Sequence, residues 1–304
     1  MRTLYRLLWN EREDRLRAFW RLLGEFVLLF VLLFGTNSLP IPEESYFVIV
    51  AHVLAATLSL WLAGRFLDHR PFADFGFHIN QNWWRDLAFG LILGALMMTT
   101  VFLVEWVLGW VTIVGTFQVE DPKLTFAQSI LYQLVFKVGV SLFEEMPFRG
   151  YLLRNLAEGF NFPALGSRKA ILLAWLVSAL LFGLSHADNP NATAVSTIAI
   201  AFAGLLLGLG YILTGSLAIP LGLHTTWNFF QGHVFGFPVS GHVELASTTF
   251  IATKQAGPML WTGGAFGPEA GLLGVTAVLL GSLAIFLWVR QFYGAIAPYT
   301  PLAK

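Results

Sequence analysis

Residues 126–155 read FAQSILYQLVFKVGVSLFEEMPFRGYLLRN, an apolar run that closes on Glu144, Glu145 and Arg149. The run approaches the roughly 20 residues that span a bilayer. Ionisable side chains at membrane depth are costly, and by default they mark a functional site. Glu145 and Arg149 lie four residues apart on one helix face and can pair, whereas Glu144 points elsewhere. In that arrangement Arg149 neutralises and orients Glu145, and Glu144 is free to act on water. Pro147 has no N–H to donate, so it should free a carbonyl near Phe143 or kink the helix beside the glutamates. The alternative reading of this segment alone is an ion pair at a helix end on the membrane border.

The rest of the composition agrees with an apolar solvent. The 304 residues are 56% hydrophobic and only 12% charged, with a mean hydropathy of +0.68, against roughly 25% charged in soluble domains. The expected fold is therefore all-α, a polytopic membrane bundle of about eight transmembrane helices. The spans fall near 22–39, 46–66, 87–111, 126–143, 171–185, 194–213, 217–230 and 271–289. No alternation of the kind a lipid-facing barrel needs is visible.

Positive charge gives an independent test of that layout, because cytoplasmic loops hold most Lys and Arg. With the N-terminus inside, the inner segments carry Arg2, Arg6, Arg12, Arg15, Arg17, Arg21, Arg65, Arg70, Arg85, Arg149, Arg154, Arg168, Lys169, Arg290 and Lys304. Outside fall Lys123 and Lys254, fifteen against two, with Lys137 inside a span. Both termini are expected to be cytoplasmic. Residues 1–21 are basic, amphipathic and rich in Trp and Leu, which suits an interfacial helix or an ordinary topology signal. No cleavage site follows the first apolar run, so a signal anchor is expected. Four parts are expected: this N-terminal segment, N-terminal transmembrane helices over 22–125, a core over 126–230, and a Gly-rich loop with the last span over 231–304. The paired Trp83 and Trp84 suit an aromatic belt at the headgroups. The absence of Cys excludes disulfides, thiolate catalysis and Cys-ligated metal. Zero net charge and no basic stripe give no footprint for nucleic acid.

Two further apolar segments carry polar residues. His186 ends FGLSH before the turn-forming ADNPN, and taken alone reads as a structural or interfacial histidine. His224 and Asn228, in HTTWN, share one helical face and can offer two donors to one oxyanion, although interhelical hydrogen bonding would also retain such a pair. His52, in the second span, reads as structural.

EEMPFRG, FGLSH and HTTWN, in this order, resemble the motifs EExxxR, FxxxH and HxxxN of the CPBP intramembrane proteases. That group holds the type II CAAX prenyl endopeptidases and bacteriocin-processing or immunity proteins. The likeness covers at least 126–230, and RPFADFGF and GPMLWTGGAFGPEAGLLG also look like bacterial members. The resemblance implies a membrane-embedded endopeptidase in which Glu144 activates water and His186 holds or polarises it. It further implies that His224 and Asn228 stabilise the oxyanion, with Glu145 and Arg149 supporting them. The implied partners are the lipid bilayer and a membrane-associated or lipidated peptide, and the implied location is a bacterial cytoplasmic membrane. Zn2+ is the open cofactor question. Glu144, His186 and His224 would supply three ligands with an open water position, but a metal-independent glutamate explains Asn228 equally well and is the favoured version. The competing functions are a non-catalytic membrane scaffold or immunity-like binder and, less favoured, a proton-coupled transporter. As straight spans, moreover, the layout puts Glu144 near the cytoplasmic side and His186 near the other. Tilt, an early end to the fifth span or a re-entrant piece between Glu145 and Lys169 would reconcile them.

Overall fold

The computed structural model describes residues 7–11, 13–38, 40 and 46–304. Arg2, Arg6 and Arg12 lie outside the described residues. Of the interfacial helix expected over 1–21, residues 7–8 and 18–21 are helical among the described residues, and two short strands lie between them. β1 (Trp9–Asn10) pairs antiparallel with β2 (Arg15–Leu16), and helix α1 (Ala18–Asn37) starts directly after them. The reason is electrostatic. Arg15 and Arg21 turn inward and share Glu158, at 3.1 and 2.9 Å, and Arg21 also reaches Asp68 at 2.6 Å. Residues that read as topology signals thus close a buried ion network, to which Tyr151 adds a 2.7 Å hydrogen bond on Asp68.

The bundle continues with α2 (Tyr46–Ala63), α3 (Gln81–Val107), α4 (Phe126–Glu145), α5 (Arg154–Phe160), α6 (Gly166–Leu184), α7 (Ala194–Thr214), α8 (Ala218–Phe229) and α9 (Leu272–Tyr293). Seven helical runs among the described residues are long and apolar enough to cross a membrane. Their outer faces are apolar, with Phe30, Phe34, Ile92, Leu180, Leu279 and Leu283 all exposed, as lipid contact requires. The chain is thus an integral, multi-pass, all-α protein.

The span expected over 217–230 is the exception. α8 has 12 residues and runs into a π turn, Phe230–Val234, about 25 Å in all. It is the most enclosed helix of the core, with residues 218–225 all buried. Pro220 does not kink it, because it sits in the first turn, where its missing N–H costs nothing.

Close backbone approach sets the position of α8. A Cβ at Gly90 would strike the Ile219 carbonyl, one at Gly94 the Leu223 carbonyl and Thr226 Oγ1, and one at Gly222 would lie 2.5 Å from the Leu87 carbonyl. Small residues let two membrane helices pack backbone to backbone where no hydrophobic gradient drives them together.

The helix carrying the glutamates does not end at Glu145. A π-helical stretch, Met146–Leu153, joins α4 to α5 in one run from Phe126 to Phe160. Pro147 thus widens the helix without breaking it, a usual consequence of a lost i to i−4 bond. That continuity removes the difficulty over depth. From the turn at 161–165, Glu144 lies about 24 Å back along one helix and His186 about 30 Å along the next. No re-entrant piece is needed, and Arg149 lies inside the bundle, not in a cytoplasmic loop.

Two other expectations are corrected. Residues 232–271 are more than a loop, since β4 (Thr249–Gln255) pairs antiparallel with β3 (Val111–Gln118), the latter lying where the third span was expected to end. Of the supposed aromatic belt, Trp84 is exposed, but Trp83 is buried and donates to the Gly76 carbonyl at 3.1 Å.

Gly94→Val should cost about 1–3 kcal/mol by overpacking, read as a lower thermal midpoint in detergent. Gly35→Ala, with nothing among the described residues within 4 Å of its new Cβ, should not lower it.

Candidate active site

The three sequence segments meet at one cavity of about 520 Å³. Glu144, His186, His224 and Asn228 all line it, whereas Glu145 and Arg149 lie behind its wall, at 0% and 1% side-chain exposure. The division expected between adjacent glutamates is therefore present, because neighbouring residues on a helix point about 100° apart.

Glu145 is the anchor. Its Oε1 accepts from Arg149 Nη1 at 3.1 Å and from His224 Nδ1 at 2.8 Å. The first bond lies within the helical run, while the second ties the run to α8. Arg149 also donates to the Gly204 carbonyl on α7 at 3.4 Å and lies over the ring of Phe182, 4.1 Å from its centroid.

Phe182 has a role that its apolar character concealed. Besides receiving Arg149, its ring packs at 4.8 Å from His186 and edge-on to His224 at 6.4 Å. Its carbonyl faces His186 Nδ1 at 2.8 Å. The signal was available, since an aromatic one helical turn before a histidine packs against it.

Hydrogen bonding fixes the tautomers. His186 Nδ1 faces a carbonyl and His224 Nδ1 a carboxylate, neither of which donates, so both Nδ1 atoms carry hydrogen. In the neutral rings both Nε2 atoms are therefore acceptors. Each lies 3.9 Å from the same oxygen, Glu144 Oε2, which has no hydrogen-bond partner among the described residues. Three acceptors face one small volume. A water molecule there, with two protons to give, suits that arrangement, as does a proton held on one ring or on Glu144.

Asn228 lies one turn beyond His224 and makes no side-chain hydrogen bond among the described residues, which leaves its amide free toward the cavity. Thr225, between them, donates to Ser141 at 3.0 Å and Ser141 to the Lys137 carbonyl at 2.9 Å, locking α8 to α4.

Two cavity residues were missed as site residues. Lys137, buried two turns before Glu144, lines the cavity and stands out in the sequence only as a cation within a span. Glu269 comes from the loop before α9, where no spacing could reveal it. It accepts from the Ser240 N–H and from Gln231 Nε2, and burial pushes its carboxyl up to about 7. His52 is outside the site and hydrogen bonds Asn37 at 2.8 Å.

The zinc alternative is not matched by this donor set. Two ligands about 2.1 Å from a tetrahedral zinc lie about 3.4 Å apart, closer than the 3.9 Å found from Glu144 to either histidine. Among the described residues no group of three or more His, Asp or Glu side chains converges as metal ligands.

Comparison with known proteins follows the same boundaries. Residues 126–230 match the sequence model of the family described as type II CAAX prenyl endopeptidase Rce1-like. The matched segment is the one that carries the three motifs. The chain is also 28% identical over 187 residues to a Bacillus subtilis (strain 168) protein described as uncharacterized, YyaK. That match takes in 60% of this chain and 58% of the relative, so the chain spans little more than half of it. No solved structure matches the chain. The Rce1-like segment holds both glutamates, Arg149, both site histidines and Asn228, whereas Glu269 lies outside it.

Arg149→Ala would leave the Glu145 charge buried without its cation and should cost about 3–5 kcal/mol. Glu144→Gln removes no hydrogen bond to a described residue and should leave stability nearly unchanged. Unfolding of both variants in the same detergent checks the contrast.

Proposed function

We propose that the protein is a membrane-embedded endopeptidase in which Glu144 activates water. The observation that carries this reading is the Glu144 carboxylate, whose Oε2 has no hydrogen-bond partner among the described residues and faces two imidazoles whose orientation is fixed from behind. An amide resists hydrolysis until water is deprotonated, the carbonyl oxygen stabilised and the amine protonated. Each task has a residue here.

Glu144 takes a proton from water as the water oxygen bonds to the scissile carbonyl carbon. His186, held by the Phe182 carbonyl, offers Nε2 to the same water and positions it. The carbonyl electron pair moves onto oxygen, and Asn228 donates to that oxyanion. His224 can donate as well only when Nε2 is protonated, since its Nδ1 proton is engaged by Glu145. The buried carboxylate behind it fixes the ring's orientation, as in other carboxylate–histidine pairs. Collapse of the intermediate breaks the C–N bond, and the proton on Glu144 passes to the leaving amine, which restores the carboxylate. Arg149 acts through Glu145 and is a positioning residue. No step is assigned to a metal.

A membrane-associated or lipidated peptide suits the site as substrate. The cavity walls include Phe136, Val140, Phe143, Leu207 and Val278, and a segment already held in the bilayer can approach by lateral diffusion.

In purified protein reconstituted in lipid, a library of peptides and membrane-protein segments should be cut by the wild type. Glu144→Gln should lower kcat by about 10²–10⁴-fold, and chelator should leave the wild-type rate unchanged. Uncut peptides with folded wild type, or cleavage that persists in Glu144→Gln, would overturn the reading. Asn228→Ala should lower kcat by about 10²–10³-fold with KM little altered, as loss of an oxyanion donor does.

A further inference from the structure

The two ends of the bundle differ in charge and in access to the cavity. At one end lie the turns at 64–80, 161–165 and 215–217 and the tail after α9. They are joined by Leu217 N–H to the Gly76 carbonyl at 3.1 Å, Arg154 to the Asp74 carbonyl at 2.6 Å and Tyr299 N–H to the Ile212 carbonyl at 2.7 Å. At the other end lie the β3–β4 ribbon, the 185–193 turn and the loop before α9. These are joined by Asn189 to the Ser240 carbonyl at 2.9 Å and Asn191 to the Gly241 carbonyl at 3.0 Å.

Basic residues segregate between these ends. Lys137 and Arg149 are inside the bundle. Of the other described Lys and Arg residues, Lys123 and Lys254 alone belong to the ribbon end, while Arg15, Arg17, Arg21, Arg65, Arg70, Arg85, Arg154, Arg168, Lys169, Arg290 and Lys304 all lie at the other. An excess of Lys and Arg in short loops stays cytoplasmic. Arg15, Arg21 and Arg70 are consumed in the ion network around Glu158, but Arg65, Arg168, Lys169 and Arg290 are exposed and give the same sign.

The cavity leads to the opposite end. Beyond Glu144 and the two histidines its lining passes to Asn189, Val239, Ser240 and His242, all in ribbon-end loops. Toward the basic end it is closed by Arg149, Tyr151 and Leu153, each no more than 1% exposed, and then by the ion network.

We propose that the cavity opens on the extracytoplasmic face of the membrane, and that its substrates are peptide segments displayed on that side. The word substrate rests on the endopeptidase reading, whereas the orientation does not. A tail that is lipidated and held at the cytoplasmic surface would meet the closed end of the bundle.

The chain has no cysteine, so the natural protein is a blank for single-cysteine labelling. Asp188→Cys and Glu244→Cys place exposed thiols at the ribbon end, and Ala164→Cys and Lys169→Cys at the basic end. Each full-length variant is treated, in intact spheroplasts and after permeabilisation, with a maleimide that does not cross membranes, and scored where it labels after permeabilisation. Asp188→Cys and Glu244→Cys should label as fully in intact spheroplasts as in permeabilised ones. Ala164→Cys and Lys169→Cys should label only after permeabilisation. The reverse pattern, or labelling of both ends in intact spheroplasts, overturns the proposal. Because the assay reads topology and not turnover, its failure is distinct from loss of the hydrolytic reading, which Glu144→Gln tests.

Discussion

Glu145 is a carboxylate with no solvent exposure in a helix bundle built for lipid, and the site follows from how its charge is compensated. One oxygen receives Arg149 from its own helix and His224 from α8. An isolated ion there would be prohibitively costly, so both partners are held in place by the penalty for leaving it. Arg149 is in turn placed over Phe182, whose carbonyl orients His186. A single buried charge thereby sets the positions of residues from three distant sequence segments, and Glu144, its neighbour, is left facing the cavity.

Much of this is legible in the amino-acid sequence. Apolar runs mark the helices because a bilayer demands about 20 such residues, and the i, i+4 spacing of Glu145 and Arg149 implies their pair. Spacing along one helix cannot show that His224 is the second partner of Glu145, because that contact joins residues 79 apart. Nor can it show that the helical run continues to Phe160. Pro147, Arg149, Gly150 and Arg154 all read as an approaching end, whereas tertiary packing keeps the stretch helical in its π form. Trp83 likewise reads as an interfacial residue until Gly76 supplies its acceptor.

Glycine does for α8 what charge does for Glu145. At Gly90, Gly94 and Gly222 the helices touch through backbone, so the face bearing His224, Thr225 and Asn228 has no room to slide. Thr225 and Ser141 add a polar fastening on the neighbouring side. Rigid support of this kind serves a site whose hydrogen-bond distances leave little tolerance.

The run from Phe126 to Phe160 has 35 residues, about 52 Å of helix, against about 30 Å of hydrocarbon. Such hydrophobic mismatch is relieved by tilt or by projection into the headgroups. Lys137 sits about 10 Å nearer the ribbon end than Glu144 on that same rod. Bilayer thickness therefore governs how much of the cavity wall lies among acyl chains and how much among headgroups, and lipid composition becomes a term in how water reaches the glutamate.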